Sequence, residues 1–225
     1  AMESRGLGDV YKRQVLNTEV DTKKVAEIEK KSDAIFLGLG TYESIKGKIE
    51  GTDKTGVVEA LPYLIKNTEY LMDPDDAEKI DFKDQRVAVL GGGDTAMDCV
   101  RTAVRQQAKS VTCIYRRDQE NMPGSIREIK HAMEEGVDFL FNTQPLKVEG
   151  DGSITSLKVC ETKLGEPDAT GRQRPELIEG SEKAIEVDKL VIAFGYQADV
   201  PDFVLDKNVK ICLLYTSDAA DELLG

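Results

Sequence analysis

The chain has 225 residues, enough for one large domain or one and a half small ones. Its net charge is -12, with one histidine and no tryptophan, and so acidic a field argues against nucleic acid as a partner. No run approaches a membrane span, no secretory signal opens the chain, and Cys99, Cys113, Cys160 and Cys212 form no C-x-x-C pair. Neither a zinc site nor a redox dithiol is signalled, and a cytoplasmic protein that meets no membrane is expected.

In chain order, Val15 to Val20 alternates apolar and polar side chains, a possible strand. Asp21 or Thr22 can cap a short helix over 23–30, with Val25, Ala26 and Ile28 inward. Asp33 to Gly40 reads D-A-I-F-L-G-L-G, a buried-strand signal ending in glycines and followed by Thr41. Gly38 and Gly40 suit a strand end where backbone passes close to a ligand or another segment; a plain loop explains them equally well. Residues 47–57 are turn-rich. The spacing of Ala60, Leu61, Leu64, Ile65 and Leu71 predicts a helix over 58–72, with Pro62 in its first turn. Pro74, Asp75 and Asp76 then open a charged connector that reaches Gln85, a candidate domain junction.

The most informative stretch follows. Val87 to Leu90 is a short apolar run suited to a buried parallel strand. Gly91, Gly92 and Gly93 come next, then Asp94, Thr95 and Ala96. Apolar residues at Ala96, Met97, Val100, Ala103 and Val104 fall at helical spacing, and Val111 to Tyr115 is a second strand. Strand, glycine turn, helix and strand form the first βαβ of a Rossmann-like dinucleotide-binding domain. Gly91 permits the tight turn, Gly93 lets backbone approach a pyrophosphate, and Ala96 lets the helix pack near the strand. The phosphates are expected at the helix N-terminus, where free N–H groups and the dipole favour negative charge. The second strand ends in Arg116 and Arg117 rather than in an acidic residue. Two arginines there suit a 2′-phosphate and so NADPH over NADH; the alternative is a surface pair capping a strand end.

A polar loop, D-Q-E-N-M-P-G-S, leads to a helix over 125–135 that Gly136 can cap. Met122, Pro123 and Gly124 either shape the adenosine end of the site or form a plain loop. The single histidine, His131, is expected on the exposed side of this helix. Val137 to Asn142 is the next strand. Residues 145–148, 154–162 and 184–187 suggest a small antiparallel meander inserted in the sheet, with a long loop from Leu164 to Gly180. Leu190 to Phe194, ending at Gly195, gives a last buried strand. Asp94 and Glu120 read as cap and loop residues, so no catalytic side chain and no metal ligand is expected.

Several stretches carry a family resemblance: V-L-G-G-G-D-T-A-M-D-C-V-R-T-A-V-R-Q, C-I-Y-R-R-D-Q-E-N-M-P-G-S, F-N-T-Q-P-L, G-E-P-D and V-I-A-F-G-Y. They resemble the small subunit of bacterial glutamate synthase, among the flavin-dependent pyridine-nucleotide oxidoreductases. The resemblance implies an NADPH domain inserted in an FAD domain. It implies that Gly91, Gly92, Gly93, Asp94, Thr95 and Ala96 hold the NADPH pyrophosphate and Arg116 and Arg117 its 2′-phosphate. Gly38, Gly40 and Thr41 would mark the crossing from the FAD domain, and Gly195 the return crossing. The parent protein would pass electrons from NADPH through FAD and iron–sulfur clusters to a large subunit that makes glutamate. This chain carries one glycine fingerprint and no cysteine-rich segment, so NADPH is the cofactor expected here and FAD is expected of the parent protein. The nearest rivals are an NADPH-binding module without catalysis and an electron-transfer subunit of another flavin-linked oxidoreductase.

Ser4 to Gln14 and Cys212 to Glu222 resemble translations of the two strands of a transposon-end adapter. The expected organisation is therefore adapter-like sequence at 1–14 and 212–225, a partial FAD-type domain and connector at 15–84, the nucleotide domain at 85–188, and a return strand at 189–211. An incomplete FAD-type sheet would leave an open edge and apolar surface, and a homodimer or swapped assembly is expected on that ground.

Overall fold

The computed structural model of the chain describes residues 14–78, 80–167, 171, 173–197 and 199–205. Apart from Gln14, the adapter-like ends lie outside these residues. In chain order the elements are α1 (Thr22–Glu29), β1 (Glu43–Ser44), β2 (Val57–Glu59), α2 (Ala60–Met72), β3 (Arg86–Leu90), α3 (Asp94–Arg105), β4 (Ser110–Ile114) and α4 (Ile126–Glu134). They continue with β5 (Asp138–Leu140), β6 (Thr143–Glu149), β7 (Ser156–Pro167), β8 (Gln173–Leu177), β9 (Lys183–Glu186), β10 (Lys189–Ile192), β11 (Tyr196–Gln197) and α5 (Asp202–Leu205). The chain divides into two compact units, residues 14–40 with 199–205, and residues 41–197.

The larger unit is built on a five-stranded sheet of order β2-β10-β3-β4-β5, parallel throughout. Along β3 the side chains alternate between its two faces, as the pleat requires. Val87 and Val89 join Val111, Cys113 and Val191 against the apolar sides of α2, α3 and α4. Ala88 and Leu90 join Ile114, Leu190 and Ile192 against Val148, Leu157 and Val159 of the antiparallel strands. Helices therefore cover one face of the sheet and a meander covers the other. Burial on both faces is why β3 reads V-A-V-L with no polar alternation.

Two charged networks fasten this frame. Arg101 on α3 pairs with Glu128 and, at 2.9 Å, with Glu135, so that α3 and α4 are stapled side by side. At the start of the sheet, Arg86 on β3 reaches both oxygens of Asp188, at 2.7 and 3.0 Å, and also pairs with Glu186. The Arg86 guanidinium holds the Asp188 carboxyl at about 2, well below the usual carboxylate range.

The meander is β6-β7-β8, with β9 also paired to β7. Its strands at 143–149, 156–167 and 183–186 overlap the expected 145–148, 154–162 and 184–187, but they form a separate antiparallel sheet rather than an insertion in the parallel one. The stretch from Leu164 to Gly180 is not one long loop, because β7 continues to Pro167 and β8 returns along it. The segment 58–72 also differs from expectation. Val57–Glu59 is a strand paired to β10, and the helix starts only at Ala60. On α2 the buried side chains are Ala60 and Tyr63, whereas Ile65 and Leu71 are exposed. Tyr63 stacks on Phe82 of the connector at 4.6 Å and donates to Gln106 at 3.0 Å. Since β2 and β10 pair into the sheet of β3, that sheet extends beyond the 85–188 segment on both sides.

In the smaller unit, α1 is capped by Asp21, whose carboxylate accepts from the Lys24 N–H at 2.7 Å. Val25 packs with Phe203 and Val204 of α5; Ala26, expected inward, is exposed. Neither Val15 to Val20 nor Asp33 to Gly40 is a strand. Phe36 is 94% exposed, and Ile35, Leu37 and Leu39 are exposed as well. A strand exists only where another supplies backbone partners, and the described residues of this unit hold two short helices and no strand.

Candidate nucleotide site

Parallel strands deliver their loops to one edge of the sheet. The turn after β3, the segment after β4 and the segment after β10 all leave from the C-terminal edge, in register at Leu90, Ile114 and Ile192. That edge is where open α/β sheets take ligands. It gathers Gly91, Gly92, Gly93, Asp94, Thr95, Ala96, Arg116, Arg117 and Gly195. Gly38 and Gly40 lie on the smaller unit, where both are exposed, and Thr41 opens the larger one.

The three glycines of the turn differ in their surroundings. Gly91 has φ +140, and a Cβ there would lie 2.2 Å from the Ala193 carbonyl oxygen. A Cβ on Gly92 would meet the Tyr115 ring at 2.7 Å. Both glycines are required by the protein's own packing. At Gly93 nothing among the described residues lies within 4 Å of an added Cβ, so toward them this glycine faces open space.

Gly93 is the N-cap of α3 and has no side chain to cap with. Its carbonyl takes the N–H groups of Ala96 and Met97, at 2.9 and 3.2 Å. The N–H groups of Gly93, Asp94 and Thr95 have no acceptor among the described residues. These are the unsatisfied donors of a helix start, set beside the open side of Gly93. Ala96 is fully buried in the core, the close helix-to-strand packing that its small side chain predicts.

Asp94 is engaged elsewhere. Its carboxylate accepts from the Ser125 N–H at 2.7 Å, at the N-cap of α4. Beside it the Gly124 N–H donates to the Gly92 carbonyl at 3.0 Å. The loop of Met122, Pro123 and Gly124 is thus fastened onto the glycine turn.

The arginine pair is anchored through its backbone. The Arg116 carbonyl accepts from the buried Thr162 hydroxyl at 2.8 Å, and the Arg117 carbonyl accepts from the Asn142 N–H at 2.9 Å. The Arg116 side chain is exposed and has no partner among the described residues. Arg117 is held: Nε donates to the Tyr115 hydroxyl at 3.2 Å and Nη1 to the Asn121 Oδ1 at 3.1 Å.

Gly195 has φ +94, with nothing among the described residues within 4 Å of where a Cβ would stand, and its carbonyl accepts from the Ile45 N–H at 3.0 Å. Next to it the Tyr196 hydroxyl is buried without a hydrogen-bond partner of ordinary geometry among the described residues. Burial pushes this phenol above its usual range, with the Thr95 side chain pulling the other way. His131 is half-exposed on α4, 3.9 Å from Glu128. No helix among the described residues is long and apolar enough to cross a membrane.

Tyr115, Asn121, Thr162 and Tyr196 were not singled out from sequence. In the sequence Tyr115 reads as the last residue of a strand, and the others only acquire meaning through the fold. The one available signal was the polar D-Q-E-N loop directly after the arginine pair.

This architecture has close relatives. A profile of the family described as pyridine nucleotide-disulphide oxidoreductase matches residues 6–211. The glutamate synthase (NADPH) small chain of Escherichia coli (strain K12) is 48% identical over 212 residues, covering 92% of this chain and 44% of that one. The glutamate synthase (NADPH) small chain of Halomonas elongata is 55% identical over 167 residues, covering 73% of this chain and 35% of that one. The chain spans less than half the length of these two curated relatives. Among solved structures, Mycobacterium tuberculosis FprA in complex with NADPH matches with a TM-score of 0.64 at 14% identity, over 79% of this chain and 53% of that one. An identity that low speaks for the fold alone. With its parallel sheet, glycine turn and sequence relatives, the chain belongs to the pyridine nucleotide-disulphide oxidoreductase family and within it is like the glutamate synthase small subunit.

Proposed function

We propose that this chain binds NADPH at the C-terminal edge of its parallel sheet, as the nucleotide module of a glutamate synthase small-subunit-like oxidoreductase. The observation that carries the reading is the open side of Gly93, next to three unsatisfied N–H groups and on the same edge as Arg116 and Arg117. The pyrophosphate meets the N–H groups of Gly93, Asp94 and Thr95, where the α3 dipole favours it. Arg116 and Arg117 take the 2′-phosphate, and their anchored carbonyls limit what ordering costs on binding. Gly91, Gly92 and Ala96 shape the turn. Gly195 lies toward the nicotinamide end.

NADPH, when bound, supplies a hydride for a flavin acceptor. The parts played by this chain are binding, orientation and electrostatics, and no side chain is assigned as acid or base. In the parent protein the acceptor is FAD, with Gly38, Gly40 and Thr41 at the crossing between domains. Electrons then pass to a glutamate synthase large subunit. The chain by itself acts as a binding module, since it holds one glycine fingerprint. The exposed apolar run of Ile35, Phe36, Leu37 and Leu39 supports self-association as a homodimer, and a cytoplasmic setting suits the buried, unpaired Cys99 and Cys113.

Calorimetric titration of the purified chain with NADPH and NADH tests the reading. Tighter binding of NADPH is expected. A yellow preparation that oxidises NADPH would instead assign catalysis to the chain itself, and a monomer by light scattering at high concentration would remove the homodimer.

A further inference from the structure

Arg117 and Arg116 are not equivalent, and the loop behind them explains the difference. Arg116 has no side-chain partner among the described residues, whereas Arg117 is fixed at two points. Its guanidinium lies over the Tyr115 ring, 5.9 Å from the centroid. Tyr115 is in turn fixed, because its ring packs on Gly92 and its hydroxyl donates to the Asn121 carbonyl at 2.6 Å. The Asn121 side chain is fixed too. Asp118 Oδ1 accepts from the Asn121 N–H at 3.0 Å and from its Nδ2 at 2.7 Å. With Nδ2 committed to Asp118, the amide oxygen is the atom left for Arg117.

We propose that Asn121 is a positioning residue for the 2′-phosphate: locked by Asp118, it holds the Arg117 guanidinium in a preset orientation at the end of β4. The proposal rests on the NADPH reading above. A guanidinium has five N–H donors. Two are used by Tyr115 and Asn121, which leaves three for a phosphate. Restraining a long side chain in advance removes much of the entropy that an arginine otherwise loses on binding. The same bonds occupy Asp118, the one carboxylate directly after the arginine pair, with the neutral donors of Asn121. Arg116 then serves as an adaptable second cation, and Arg117 as the fixed one.

The test uses the whole chain and two small probes, 2′,5′-ADP and 5′-AMP, which differ by the 2′-phosphate alone. Affinities are measured by NMR titration for the wild type, Asn121→Ala, Arg117→Ala and the double variant. Asn121→Ala is expected to lose about tenfold in 2′,5′-ADP affinity, the size of one charge-assisted hydrogen bond, with 5′-AMP affinity unchanged. In the Arg117→Ala background, Asn121→Ala should have no further effect, because it acts through Arg117. An Asn121→Ala chain that keeps the wild-type preference overturns the proposal. So does one that loses both probes equally, which is loop collapse, and so does an additive loss in the double variant. A wild type that binds both probes alike removes the NADPH reading and this proposal together. A wild type with the preference, insensitive to Asn121, removes this proposal alone.

Discussion

The Asp94 carboxylate accepts a hydrogen bond from the Ser125 N–H at 2.7 Å, which joins the first turn of α3 to the first turn of α4. A carboxylate at a helix N-terminus competes with an incoming phosphate for the same positive field. Here the charge is put to use as a cap for the neighbouring helix. Asp94→Asn keeps an oxygen that can accept from Ser125 and removes the charge. NADPH affinity is predicted to rise about two- to fivefold, the range of a single charge at a helix end. Asp94→Ala is predicted to cost about 1 kcal/mol of stability through the lost cap. Calorimetry and urea unfolding of the two variants check both statements; weaker NADPH binding by Asp94→Asn would contradict the first.

Gly91 and Gly93 should respond oppositely to the same change. Gly91→Ala places a Cβ 2.2 Å from the Ala193 carbonyl oxygen at φ +140, and a loss of about 3 kcal/mol or more is predicted. Gly93→Ala meets nothing within 4 Å among the described residues and keeps φ at -88. Its stability should change by less than about 1 kcal/mol, while NADPH affinity falls at least about tenfold because the methyl group fills the space meant for phosphate. Urea unfolding and nucleotide titration on the pair check this. A stable, tightly binding Gly93→Ala chain would contradict the placement of the pyrophosphate.

Much of this edge was legible in the sequence. The glycine turn, the buried strands on either side and the arginine pair are local signals, each set by the chemistry of a few adjacent residues. The elements that escaped depend on partners far along the chain. β2 is three residues long and runs into α2 without a side-chain cap at Glu59, so its pattern merges with that of the helix. β8 contains Pro175 and shows no buried face; among the described residues it is an edge strand paired with β7, where proline is tolerated. Asp33 to Gly40 has strand composition yet no ladder to join among the described residues. Asn121 lies in the polar stretch after the arginines, but nothing local marks its role, and Thr162 lies in no motif; only the fold brings both to the arginines.

The Arg86–Asp188 pair should shape acid unfolding. Asp188 is held at about 2 in the folded chain against an ordinary value of 3.8. A depressed carboxyl stabilises the fold above its unfolded value and loses that contribution as pH falls through the folded one. The contribution of this pair is therefore complete above about pH 4 and lost toward pH 2. Asp188→Ala is predicted to be less stable than wild type at pH 7 and to show a smaller further loss between pH 4 and 2. Thermal melts across that range check it, and parallel pH profiles for the two chains would contradict it.

Cys99 and Cys113 should be chemically silent. Burial pushes the Cys113 thiol up to about 12, and burial raises that of Cys99 as well. Thiolate is the reactive form. Native chain at pH 8 is predicted to leave both unmodified by iodoacetamide, with full labelling in urea. Mass spectrometry of the peptides reads this directly, and rapid native labelling of either residue would contradict the packing of α3 on the sheet.

The NADPH assignment is tested most directly by the affinities of the wild-type chain and an Arg116→Ala, Arg117→Ala double variant for NADPH and NADH. The wild type should bind NADPH at least about tenfold more tightly than NADH, as charge-assisted contacts to one extra phosphate require. The double variant should bind both alike, at the NADH affinity of the wild type. Equal affinities in the wild type, or a preference that survives loss of both arginines, would contradict it.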